Sequence, residues 1–359
     1  MTEIPVKKPT FLEFFPLTLY AAVSSLSSLS VAWGLTGWRI GLQLRGILGM
    51  ISAVIFVIVS IIYALKWWRY PQIVKHDYAD PIAINLFGVF FISLLIISAF
   101  LFNYDQQLGF VIWIIGTVSM SVFAWIVLSR WFNHPQDPQN ALPVWLVPLM
   151  GILDVPLTGL RYTSPDIREV CLFFFVTGLL FTSILIVVIF TRLLFQAELA
   201  APMYPTLLLL SVPFSMTYSI YDIMTGGKAD MIAAFLFYGA LFMAAVFGRR
   251  IFFSMLKFQF SVSFWSVSFP LAALTVAAFR YANHSKIVFV KVIPFLLLAG
   301  TSVIVLALFF QTFHFIIAEY IIKGCPKPVA RMTYREFIHK SQDQQKPAAA
   351  GFESKTQIK

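Results

Sequence analysis

The run FQFSVSFWSVSFPLAALTVAAFRYA, residues 258–282, decides how the rest of the chain is read. It exceeds the length of about 20 apolar residues that crosses a bilayer as a helix. It carries no acidic residue, and its one charge, Arg280, lies near its far end. Its middle holds Pro270 directly after Phe269, among Ser266, Ser268, Ala272 and Ala273. A proline there offers no N–H to the carbonyl of Ser266 and crowds it, so the helix is expected to kink or break. In hydrocarbon the freed carbonyl must face protein, a hydroxyl or water, which argues against a lipid-facing position. Two readings remain for this segment alone: a kinked helix buried in a bundle, or a helix lining a passage.

Composition narrows the class. The chain has 359 residues, of which 59% are hydrophobic and 12% charged. Soluble domains carry about 25% charged residues, so this is an integral membrane protein. The run after Lys7 and Lys8 is too long for a removable signal segment. Cys171 and Cys325 form no disulfide framework, and the five histidines show no metal-ligand spacing. No phosphate-binding loop and no nucleophile–base pair is visible, so neither an enzyme nor a cofactor is expected. The formal net charge of +10 is concentrated in loops and the C-terminal tail. It reads as topology signal and anion attraction rather than as a nucleic-acid surface.

Ten hydrophobic runs have spanning length: residues 14–35, 46–65, 81–102, 108–128, 141–160, 170–195, 204–224, 231–253, 258–282 and 287–322. The expected organisation is an N-terminal tail (1–13), a transmembrane domain (14–322) and a largely disordered C-terminal tail (323–359). An even number of spans puts both termini on one side. The inter-helix loops are balanced in Lys and Arg, but Lys7, Lys8, Lys323, Lys327, Arg331 and Arg335 tip the count toward cytoplasmic termini in the cell membrane. On that topology Cys171 and Cys325 lie at opposite faces and cannot pair.

The odd-numbered runs share a pattern. They contain FFPLTLY (14–20), LVPLMGI (146–152), SVPFSMT (211–217) and SFPLAAL (268–274), while the third has NLFGVFF (85–91) without proline. Among the even-numbered runs, only the tenth carries an internal proline, Pro294. Alternation of proline-bearing, small-residue helices with smooth apolar ones suggests repeated helical hairpins, with the first kind inside and the second outside. On this reading Pro16, Pro148, Pro213 and Pro270 kink the inner helices. Ser266, Ser268, Ala272, Ala273, Phe87 and Phe91 are candidates to line a pore. Arg161, Arg280, Arg249 and Arg250 flank its mouths.

On four of these segments the chain resembles the tellurite-resistance/dicarboxylate transporter family, which includes the bacterial TehA proteins and the plant slow-type anion channels. The residues that carry the resemblance are FPL (15–17) with LSSLSVAW (26–33), PVWLVPLMG (143–151), YPTLLLLSVPFSMTYSIY (204–221) and FSVSFWSVSFPLAALTVA (260–277). The resemblance implies an all-α membrane protein: ten helices paired as five hairpins around a central pore, commonly assembled as a homotrimer. It also implies an aromatic gate at Phe269. Two departures bear on pore width: Thr18, Ala22 and Ser25 stand where glycines are frequent, and Phe214 replaces a second proline.

Several polar residues inside the runs have competing readings. Asp154 and Arg161 are two turns apart on one helix face, which suggests a structural pair at the outer mouth, although an acid at membrane depth is by default functional. Asp222, near Tyr218 and Tyr221, reads as an interfacial anchor. Gln311, His314 and Glu319 suggest a proton path or a tolerated helix end, and His314 is the group expected to titrate near neutrality. The serines at 24, 25, 27, 28 and 30 serve close helix packing as well as a pore, since five cannot face one channel. The function that follows is an anion channel or uniporter for small inorganic or carboxylate anions, gated by an aromatic side chain. The alternative is a proton-coupled transporter or efflux protein for C4-dicarboxylate (malate), sulfite or tellurite.

Overall fold

The computed structural model describes residues 11–257 and 260–317. Its α-helices are α1 (Tyr20–Gly34), α2 (Arg39–Arg69), α3 (Pro71–Ala79), α4 (Ala83–Leu86), α5 (Gly88–Leu101), α6 (Gln106–Asn133), α7 (Val147–Gly159), α8 (Pro165–Phe195), α9 (Val212–Thr225), α10 (Met231–Lys257), α11 (Trp265–His284) and α12 (Val288–Phe315). Among the described residues nine helical stretches are long and apolar enough to cross a membrane. The expected fifth span appears as Pro143–Gly159, an apolar helix shorter than the rest. Glu319, Cys325 and both expected tails lie almost wholly outside the described residues.

The two kinds of run separate into two layers. α1 packs on α5, α5 on α7, α7 on α9, α9 on α11, and α11 returns to α1, which closes a ring of five. Outside it, α2 covers α1, α6 covers α5 and α7, α8 covers α7, α10 covers α9, and α12 covers α11. In the four longer inner spans 67% to 78% of residues are buried, against 22% to 39% in the outer spans. Outer helices therefore show one apolar face to lipid, while inner helices are enclosed all round. Because one outer helix separates each inner helix from the next, the inner five run in the same direction. Their C-terminal ends share one face of the ring.

The prolines act differently from the sequence expectation. Pro16 precedes a short 3-10 turn (Leu17–Leu19), and Pro148 and Pro213 occupy the second positions of α7 and α9. Of the four expected kinks only Pro270 lies inside an α-helix. A missing N–H costs nothing in a helix's first turn, where no carbonyl awaits it. Each of these inner helices is instead entered through 3-10 structure: Leu17–Leu19, Pro143–Leu146, Ala201–Ser211 and Val262–Phe264. The third run has no internal proline and breaks at Phe87, between α4 and α5.

Hydroxyls join the inner ring. Ser24 meets Ser93 of α5 at 2.9 Å, Ser25 meets Ser268 of α11 at 2.7 Å, and Ser27 meets Ser52 of α2 at 2.6 Å. Ser30 donates to the carbonyl of Arg45. Four of the five serines of α1 thus spend their hydroxyls on close packing, and Ser28 is left for the ring's interior.

Candidate functional site

The ring encloses a cavity of about 80 Å³, counted as space open to the centres of water molecules. One water needs about 10–15 Å³ on that measure, so there is room for several. Every inner helix contributes. α1 supplies Ser28 and Val31, α5 Ile96 and Ala99, α7 Asp154, Leu157 and Thr158, α9 Ser215, Met216 and Ser219, and α11 Phe269, Ala273, Val276 and Arg280. Arg161, just past α7, completes the wall. Most of these positions belong to the C-terminal halves of their helices, so the cavity faces the side where those helices end. On α11 the lining residues follow the spacing i, i+4, i+7, i+11, a single helix face. Phe269 is the lining residue closest to the start of α11 and forms the deep end; it is 7% exposed.

That register explains which candidates reach the cavity. Phe269 and Ala273 do. Ser268 and Ala272 are fully buried on an adjacent face of α11, where Ser268 meets Ser25 of α1. Ser266 donates to the carbonyl of Ser263 and is not a lining residue. Phe87 packs edge-on against Tyr63 and Tyr78, and Phe91 against Phe90 and the outer-helix residue Phe123. These five expected pore residues do not line this cavity.

The mouth carries three arginines. Arg280 pairs with Asp222 at 3.0 Å, and His284 Nε2 lies 3.0 Å from the other oxygen of the same carboxylate. Asp222, expected as an interfacial anchor, is therefore the counter-ion that orients Arg280. Its backbone also ends α9: Gly226 N–H and Gly227 N–H donate to the Asp222 carbonyl, with both glycines at positive φ. Arg280 Nε remains buried without a hydrogen-bond partner. Arg161 does not pair with Asp154, contrary to expectation. It donates to the carbonyl of Ala99 at 3.1 Å and lies over the ring of Phe102. Burial, then the neighbouring charges of Arg45 and Arg280, lower its pKa to about 10, which leaves it cationic at neutral pH. Arg45 is bound by the amide oxygen of Asn103. Three cations and one carboxylate make this mouth electropositive.

The other pair of arginines lies elsewhere. Arg249 and Arg250 lie in the last third of α10, toward the face where the inner helices begin, and neither lines the cavity. Arg250 is neutralised by Glu198 at 2.9 Å and stacks over Tyr204. His314 is exposed on the outer helix α12. Asp154 stands alone: it is 3% exposed, makes no ion pair among the described residues, and its Oδ2 has no hydrogen-bond partner. Its depth was legible from the sequence; its isolation was not. Among the described residues no group of three or more His, Cys, Asp or Glu could hold a metal ion.

A ring of five enclosed helices, five covering helices and an electropositive cavity on the axis define a membrane channel or transporter. Residues 14–313 match the model of the voltage-dependent anion channel family, SLAC1, and the chain belongs to that family. Its members are anion channels and transporters rather than enzymes. The chain is 25% identical over 321 residues to the S-type anion channel SLAH3 of Arabidopsis thaliana, covering 85% of this chain and 49% of the plant protein. It is 22% identical over 111 residues to an uncharacterized transporter of Methanocaldococcus jannaschii, covering 30% of this chain and 32% of that one. The chain thus matches about half or less of the length of these relatives.

Proposed function

We propose that this protein is an anion channel or uniporter that passes small inorganic or carboxylate anions along the axis of the helix ring, with Phe269 as its gate. The observation that carries the reading is the central cavity, walled by all five inner helices, with Arg161 and Arg280 toward its mouth and a phenyl ring at its deep end. Guanidinium groups attract anions from solution and repel cations, and low-dielectric walls focus their field. Among the described residues no ring of charges surrounds Phe269, so selection along the axis rests on size, dehydration and the field of the mouth. An apolar ring in a narrow passage offers an ion nothing to replace its water, and closes the path without carrying charge.

Both termini face the cytoplasm on this reading, and the protein resides in the cell membrane as a homotrimer whose interface comes from the outer helices. Only monomers in native mass spectrometry from mild detergent would remove the trimer. The function itself is tested by reconstituting the protein in planar bilayers under a salt gradient. The reversal potential is expected to follow the anion and to shift when chloride is replaced by nitrate, sulfate or malate. A reversal potential that follows the cation overturns the proposal.

A further inference from the structure

We infer that Asp154 is the proton-binding group of the central cavity, and that an anion occupies the cavity together with a proton held between this carboxyl and the anion. The inference rests on the proposal that the cavity is the anion's path. The side chain lines that cavity, is 3% exposed, and leaves Oδ2 enclosed without a partner. An ionised carboxylate is costly to bury without a counter-charge. A carboxylate is also the wrong group to meet an arriving anion, since two negative charges at close range do not both persist.

The other polar groups of the wall do not solve this. The hydroxyl of Thr158 donates to the carbonyl of Leu95, that of Ser215 to Ser211, and that of Ser219 to Ser215. Each has spent its hydrogen on backbone, and of the wall hydroxyls among the described residues only Ser28, on α1, keeps its own. None of these hydroxyls is bonded to Asp154, so the donor available at its Oδ2 is the carboxyl's own proton. With it, the O–H of Asp154 points at the anion in a charge-assisted hydrogen bond. The proton is taken up from water as the anion arrives and returned to that same side as the anion moves on, so atoms and charge balance without any further reactant and the anion alone carries the current.

The charged surroundings are few. Arg161 faces the cavity two turns further along, and Arg280 faces it from α11; α1, α5 and α9 contribute no titratable lining residue. Behind Arg280 stand Asp222 and His284, and behind Arg161 stands Arg45. On the covered side of α7 the buried thiol of Cys171 packs against Gly159. His284, an imidazole held against the Asp222 carboxylate at the mouth, is the other group of this set that a pH series must separate from Asp154. It needs its own control.

Linkage sets the size of the effect. If binding an anion binds one proton, anion affinity falls up to about tenfold per pH unit wherever the empty protein holds Asp154 ionised. Nitrate is a suitable probe because it stays an anion across this range, so any pH dependence belongs to the protein. Full-length protein in liposomes is expected to pass nitrate less readily as pH rises on the cavity side. Asp154→Asn keeps a permanent donor and is expected to hold the acid-side rate at every pH, whereas His284→Gln is expected to retain the wild-type slope. A wild type without pH dependence, or an Asp154→Asn variant that keeps the wild-type slope, overturns the inference. Infrared difference spectra, with and without nitrate, supply a readout independent of flux. A protonated-carboxyl band that grows with nitrate and is missing in Asp154→Asn is expected, with Asp154→Ser as substitute if the asparagine variant does not fold. Absence of that band in the wild type overturns the inference even where nitrate passes. If no protein passes nitrate at any pH, the channel proposal fails, and the band alone decides whether Asp154 takes up a proton with the anion.

Discussion

Truncating Phe269 separates a gate from a packing residue, because the two roles give opposite signs. The side chain is 7% exposed and belongs to the main core cluster, yet it is also part of the cavity wall. If its ring only braces α11, Phe269→Ala removes a buried phenyl group and leaves a void. Changes of that kind cost about 3–5 kcal/mol of stability. The low end applies here, since part of the ring already faces open space. No gain in conductance follows from that role. If the ring closes the axis, its removal joins the cavity to the space beyond and lowers the barrier to the hydrated ion. Each 1.4 kcal/mol taken off that barrier raises flux about tenfold. We expect Phe269→Ala to conduct at least tenfold more than wild type at equal surface expression, Phe269→Leu to be intermediate, and Phe269→Tyr to stay near wild type. Two-electrode recording in oocytes, normalised to surface biotinylation, measures this directly. Equal or smaller anion currents from Phe269→Ala, with the protein folded by size exclusion and thermal melt, refute the gate.

Further outcomes follow from the mouth and the topology. Arg161→Gln is expected to lower anion conductance, most strongly in dilute salt, since charges act over only about 8–10 Å at physiological ionic strength; a loss independent of salt refutes a role through charge. Asp222→Asn deprives both Arg280 and His284 of their carboxylate and is expected to cost about 1–3 kcal/mol, read as a lower melting temperature; an unchanged melt means the pair is not structural. At Gly227, φ is +86° and an added Cβ would fall 2.1 Å from the His284 ring, so Gly227→Ala is expected to lose at least about 1–2 kcal/mol of stability; a variant as stable as wild type contradicts the tight turn. Cysteines introduced by Arg161→Cys and Arg249→Cys are expected to react with a membrane-impermeant thiol reagent from opposite sides; labelling from one side for both overturns the parallel arrangement of the inner helices.

Much of this molecule is written in one dimension. Bilayer length converts directly into runs of apolar residues, and the alternation of proline-bearing with smooth runs already separates inner helices from outer ones. Phe269 stood out because a proline follows an aromatic at mid-span, and the structure puts its side chain in the cavity wall. What the sequence alone did not determine is how charged residues pair. Arg280 finds Asp222 across 58 positions, whereas Arg161, only two turns from Asp154, turns to the carbonyl of Ala99 and leaves that carboxyl alone. The small-residue pattern around Pro270 was also ambiguous: one step of helical register sends Ala273 to the cavity and Ser268 and Ala272 to the wall. Those choices belong to the closure of the ring. Hydropathy is a property of each segment by itself, but a buried charge is satisfied or isolated only by what the other four helices bring beside it.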